Sequence, residues 1–116
     1  MIIAIDFDGT IVNHRYPNIG ELKPNVVEVI NRLCNEGHKI IIWTCRAGIH
    51  AYDMVVFLKG HGIKFHSINK CLVLNRWDII GPKVYADIYI DDKQLGGLPE
   101  DWEDIYNMIS LICNDR

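Results

Sequence analysis

Apolar and polar positions alternate along this chain in blocks of two different periods. Ile2-Ile3-Ala4-Ile5 is an unbroken apolar run, the pattern of a strand buried on both faces. Ile40-Ile41-Ile42-Trp43 repeats it, and residues 84–90 (Val-Tyr-Ala-Asp-Ile-Tyr-Ile) are β-branched and aromatic, which predicts a further strand. Residues 63–65 and 71–74 are shorter strand-like pieces. Between these runs the spacing becomes helical. Val26, Val27, Ile30 and Leu33 recur on one face, with Pro24 suited to the first turn and Gly37 to the stop. A second helix is expected over residues 49–59, with Val55, Val56 and Leu58 inward and Gly60 and Gly62 ending it. After the turn Gly96-Gly97-Leu98-Pro99, Trp102, Ile105, Ile109 and Ile112 form the stripe of a last helix. Residues 12–22 lack periodicity and read as a loop or small hairpin.

Strands that alternate with helices predict an α/β fold: a three-layer sandwich around a mainly parallel sheet covered on both faces. With 116 residues and no repeat, linker or low-complexity segment, residues 1–116 are expected to form a single domain. Hydrophobic residues make up 49% and charged residues 23%, which suits a globular protein with a core of its own. The net charge of -3 gives no electrostatic case for a duplex-binding surface or a membrane. Asp6 and Asp8 interrupt the first apolar run too early for a signal peptide. Cys34, Cys45, Cys71 and Cys113 are scattered, without metal-ligand spacing, and read as reduced thiols in a cytoplasmic protein.

The candidate chemistry sits where strands end. Asp6 and Asp8 follow the first strand, and Asp91 and Asp92 follow the strand that closes at Ile90. If the two strands are neighbours, three or four carboxylates meet in one small volume. Like charges that close persist only when a cation joins them or protons do. The donors are all hard oxygens, which favours magnesium over zinc. A carboxylate can also attack phosphorus to give an aspartyl-phosphate, and a second carboxylate nearby can move the protons of both steps. Asp6 and Asp8 suit those two roles.

Thr44 ends the second strand in Trp43-Thr44-Cys45-Arg46. Its hydroxyl, with the backbone N–H groups of Cys45 and its neighbours, could hold a phosphoryl oxygen, although a Thr there also serves as a cap. Arg46 offers a phosphate fork, or else a solvated surface charge. Lys83, after Gly81-Pro82, could neutralise both the nucleophile and a phosphate.

Taken in order, these residues resemble the motifs of the haloacid dehalogenase superfamily. Ile5-Asp6-Phe7-Asp8-Gly9-Thr10 looks like its first motif, Thr44 its second, Lys83 its third and Ile90-Asp91-Asp92 its acidic fourth. The resemblance implies a Rossmann-like fold, Mg2+, Asp6 as nucleophile and Asp8 as acid/base. It also implies Thr44 and Lys83 as phosphate ligands and Asp92, or Asp91 next, as a metal ligand beside Asp6 and Asp8. The dehalogenase branch lacks the second Asp, so Asp8 points to phosphoryl transfer. The intervals from Asp8 to Thr44 and from Thr44 to Lys83 are filled by the expected elements, which leaves no room for a cap domain. Trp43-Thr44-Cys45-Arg46 and Tyr85-Ala86-Asp87-Ile88-Tyr89-Ile90-Asp91-Asp92-Lys93 are similar to small capless hydrolases of bacteria and phages.

The expectation is therefore a magnesium-dependent phosphatase acting on a phosphomonoester, either a small molecule or an exposed phosphate on a larger one. Alternatives are a phosphatase on nucleotide or nucleic-acid ends and a non-catalytic phosphate- or magnesium-binding module. An open, capless site also suits a homo-oligomer whose neighbour supplies the lid. His14, Arg15, Tyr16, His50, Tyr52 and Trp77 are candidate rim residues, with His14 and Arg15 the foremost because they lie beside the nucleophile.

Overall fold

A computed structural model describes residues 1–73 and 81–114. Four strands, β1 (Ile2–Ile5), β2 (Lys39–Ile42), β3 (Ser67–Ile68) and β4 (Ile88–Ile90), form one parallel sheet in the order β3-β2-β1-β4. The helices are α1 (Val26–Asn35), α2 (Gly48–Gly60) and α3 (Trp102–Asn114). This is the α/β, Rossmann-like architecture expected, and no cap domain interrupts it among the described residues.

Register decides what the sheet can do. Ile5 of β1 lies opposite both Ile42 of β2 and Ile90 of β4. The ladder continues one step further through Asp6 N–H to the Ile90 carbonyl (2.9 Å) and Trp43 N–H to the Ile5 carbonyl (2.8 Å). Asp6, Trp43 and Asp91 therefore leave the sheet at one level, along its carboxyl edge.

The two-residue period sorts the side chains. Ile3, Ile5, Ile40 and Ile42 enter a large core that α1, α2 and α3 cover with Val29, Leu33, Met54, Leu58, Trp102 and Ile105. Ala4 and Ile41 point into a smaller cluster with Val84 and Ala86. Among the described residues that cover comes from chain outside the helices.

Several elements differ from the expectation for local reasons. Strand β4 is confined to Ile88–Ile90, because the Tyr89 hydroxyl donates to the Val84 carbonyl (2.6 Å) and accepts from Ala86 N–H (3.1 Å). Those bonds fold residues 84–86 over the sheet instead of along it. Residues 63–65 and 71–73 are not strands, and Ser67–Ile68 pairs with β2 instead; position 74 lies outside the described residues, as does Trp77. Pro24 precedes α1, and Asn25, left-handed at φ 61°, turns the chain into it. In α2 the inward residues are Met54 and Leu58, one turn apart. Val56 is 53% exposed, on a face with Ile49 and Tyr52. That helix is apolar nearly all round, so its pattern does not single out one face.

Residues 12–22 form the small hairpin, closed by an antiparallel bridge between Val12 and Leu22 and by Asn13 N–H to the Glu21 carbonyl (2.8 Å). Helix α3 begins under this region. Asp101 accepts the Glu103 N–H (2.9 Å) in the manner of an N-cap. Buried Trp102 donates from Nε1 to the Thr10 carbonyl at 3.0 Å, tying the last helix to the loop that follows β1.

Trp102→Phe keeps an aromatic core residue but strands that carbonyl without its donor. We expect a loss of about 1–3 kcal/mol from the unsatisfied group, with the lost ring volume adding to it. Urea unfolding of the two proteins measures the difference.

Candidate active site

The carboxyl edge of the sheet carries an open cavity of about 390 Å³ lined by Asp6, Asp8, His14, Tyr16, Thr44, Cys45, Arg46, Asp91 and Lys93. Neighbouring strands β1 and β4 make the carboxylates converge: Asp6, Asp91 and Asp92 each offer an oxygen within 4.8 Å of the others. Burial first, and then the charge of Asp91, push Asp6 up from its ordinary 3.8 to about 7. A half-buried, oxygen-only trio held at such a cost in repulsion has the donor chemistry of a hard divalent cation site.

Two small residues make this packing possible. Gly9 has φ +88°, and a Cβ there would run into the Asp92 carboxylate, with its Cγ only 2.7 Å away. Thr10, 1% exposed, bridges the two strand ends. Its Oγ1 accepts Asp92 N–H (2.9 Å) and lies 3.1 Å from Asp6 Oδ2 and 3.2 Å from Asp92 Oδ1. One hydroxyl hydrogen serves one of those two oxygens at a time.

Asp8 stands apart from the trio, against the expectation that its side chain joins the metal ligands. Its Oδ2 accepts Arg46 Nε and its Oδ1 accepts Arg46 Nη2, both at 2.8 Å. Arg46 also departs from the expected roles of phosphate fork or surface charge, for it is a buried residue, 4% exposed. Nη1 donates to the carbonyls of Pro17 (3.2 Å) and His50 (3.3 Å), and Nη2 also to that of Asn18 (3.1 Å). All five N–H groups of a guanidinium are thereby engaged within the protein. The Phe7 and Tyr16 rings lie over it, at 5.3 and 5.0 Å from its central carbon.

Thr44 is where the sequence put it, at the cavity wall beyond β2. Arg46 N–H donates to its Oγ1 (3.0 Å), which leaves the hydroxyl hydrogen to point elsewhere. The main chain of Thr44 is latched by Asn69, whose Oδ1 accepts Thr44 N–H (2.8 Å) and whose Nδ2 donates to the Thr44 carbonyl (2.7 Å). Cys45 is exposed at the same wall.

Lys83 is not brought into the cavity. It is exposed, with Nζ 4.7 Å from the centre of the Tyr89 ring, because the Tyr89 hydroxyl folds residues 84–86 back over the sheet. The lysine on the cavity wall is Lys93, whose N–H donates to Asp91 Oδ1 (2.9 Å). Of the rim candidates, His14 and Tyr16 line the cavity, and His50 meets the Tyr16 ring edge-on at 5.4 Å between centroids. Arg15 and Tyr52 are exposed and do not line it.

Thr10, Asn69 and Lys93 are the contributors that sequence reasoning passed over. Thr10 and Lys93 directly adjoin residues already singled out. Asn69 carried a fainter signal, an Asn just past Ile68, the residue type that tolerates its left-handed φ of 54°.

Compared with known proteins, residues 3–108 match a family model described as haloacid dehalogenase-like hydrolase. A solved structure from Bacteroides thetaiotaomicron, titled as that of a conserved protein, superposes with a TM-score of 0.86. It is 42% identical in sequence, over 95% of this chain and 89% of that one. A search of curated proteins gives no match. Among the described residues no helix is long and apolar enough to cross a membrane.

The raised Asp6 makes the site sensitive to pH. Between the unfolded value near 3.8 and the folded value of about 7, the folded state keeps a proton that the unfolded state has lost. Stability of the metal-free protein therefore falls as pH rises through that window. Thermal denaturation in chelator should give a lower Tm at about pH 7.5 than at about pH 5, and magnesium should raise Tm at the higher pH and do little at the lower. No effect of magnesium at the higher pH would count against a cation site here.

Proposed function

This chain belongs to the haloacid dehalogenase-like hydrolases, and on that premise we propose that it is a magnesium-dependent phosphatase acting on a phosphomonoester through an aspartyl-phosphate on Asp6. The observation that carries this reading is the register that sets Asp6 level with Asp91, in a trio of carboxylates opening onto a solvent-facing cavity. A carboxylate pushed up to about 7 is a poor nucleophile while protonated, and the trio is the means of correcting that. Magnesium held by Asp6, Asp91 and Asp92 would supply positive charge that favours ionised Asp6 and draws in a phosphoryl group.

The residues then divide the work. An Asp6 oxygen attacks phosphorus, and the bond to the ester oxygen breaks. Asp8 enters the cycle protonated, gives that proton to the departing oxygen, and takes one back from the water that hydrolyses the aspartyl-phosphate, returning Asp6 and releasing phosphate. The fork of Arg46 occupies one lone pair on each Asp8 oxygen, so a second lone pair on each remains for the proton. The Thr44 hydroxyl, with the backbone N–H of Cys45, holds the phosphoryl oxygens. Lys93, on the cavity wall, takes the charge-neutralising part that the sequence suggested for Lys83.

Asp6→Asn should lower turnover of an activated aryl phosphate by roughly 10⁴-fold or more while the thermal unfolding profile persists. Steady-state assays with magnesium, repeated in chelator, test both the nucleophile and the cation. Full activity in the variant would remove Asp6 from the role. For Asp8→Ala, the loss of kcat/KM, which reads the step that expels the alcohol, should be greatest on esters with poor leaving groups, since an activated phenolate needs no proton to depart. An equal loss on good and poor leaving groups would show that Asp8 is not the acid.

A further inference from the structure

Arg46 occupies a place that invites a phosphate-binding role, two residues after Thr44 and on the wall of the cavity. Its surroundings give it another. The side chain is 1% exposed, and each of its N–H groups already meets an acceptor of the protein. A guanidinium that turned to a phosphate would have to leave a bidentate carboxylate and three backbone carbonyls, each of which would lose its donor. Two aromatic rings lying over the guanidinium hold its plane. The group is built in as a fixed part of the wall.

What it joins is specific. One edge of the fork holds both oxygens of Asp8. The rest grips Pro17 and Asn18 of the hairpin that carries His14 and Tyr16 to the cavity mouth, and His50 in the first turns of α2. We infer that Arg46 is a positioning residue. It fixes the Asp8 carboxylate, outside the Asp6, Asp91 and Asp92 trio, in the orientation for proton transfer, and it locks the mouth hairpin to that carboxylate. The inference rests on the proposed phosphatase reaction for its kinetic consequence and on the structure alone for the lock.

Lysine keeps the charge of Arg46 but cannot make the parallel pair of bonds or reach all the carbonyls. Arg46→Lys is therefore expected to lower kcat/KM on phenyl phosphate by about 10–100-fold and on 4-nitrophenyl phosphate by about threefold or less, since kcat/KM reads the step that expels the alcohol and only the poorer leaving group needs the aligned proton donor there. Inhibition by inorganic phosphate should stay within about threefold of wild type, because the bound anion does not touch Arg46. A loss of phosphate inhibition in step with the loss of kcat/KM would overturn the assignment and make Arg46 a ligand. Equal losses on the two esters, or no loss, would overturn it as well.

Hydrogen exchange of the amides of residues 14–19 tests the lock without any turnover. Exchange at least about threefold faster in Arg46→Lys supports it, and unchanged exchange overturns it. Wild type that hydrolyses neither ester would count against the proposed function, and the exchange result would then decide this inference by itself. Should Arg46→Lys melt below the assay temperature, Asp8→Asn weakens the same fork from the other end, and the hairpin amides give the same two answers.

Discussion

Mutual repulsion among carboxylates is the constraint around which the rest of this molecule is arranged. Asp6, Asp91 and Asp92 are brought within 4.8 Å of one another by the pairing of β1 with β4, and burial makes each additional negative charge harder to carry. The surrounding chain is organised to withstand that. The Thr10 hydroxyl sits between Asp6 and Asp92, Gly9 has no side chain to obstruct Asp92, and Trp102 holds the Thr10 carbonyl from below. The helix most remote in sequence from Asp6 thus contributes to its alignment through a single indole N–H.

The fourth carboxylate is kept out of this crowd by a different device. Asp8 is only two positions from Asp6, yet its carboxylate is answered by a buried guanidinium. Two acids in one short loop acquire two environments, one set by burial and then like charge, the other by a fixed opposite charge. Separated environments are what a reaction needs if one carboxylate is to form a covalent bond and the other is to handle protons.

Much of this was legible in the sequence, for identifiable reasons. The runs at Ile2–Ile5 and Ile40-Ile41-Ile42 announced central parallel strands, because strands buried on both faces need continuous apolar residues. Their acidic ends located the cluster. Legibility failed where a side chain chose between two partners far apart in the chain. Nothing local in Trp43-Thr44-Cys45-Arg46 says that the Arg is interior; that depends on Asp8, Asn18 and His50 arriving around it. Lys83 was misplaced for a related reason. Its position followed from expecting residues 84–90 to be one strand, and the Tyr89 hydroxyl instead folds the first part of that segment over the sheet. In α2 the apolar residues are too evenly spread for a periodic argument to choose Met54 and Leu58 over Val56.

The order of β1, β4 and α3 along the chain has a consequence for biosynthesis. Asp6 is translated before its partners, in a segment whose sheet neighbour β2 follows soon after, so half of its framework can pair promptly. Asp91 and Asp92, and the Trp102 that steadies the loop beside Asp6, come only after β2, β3 and the two helices between. Until they arrive, Asp6 lacks the neighbours that raise its proton affinity. The nascent polypeptide is thereby spared a crowded acidic centre until nearly all of the apolar core that must restrain it has been made.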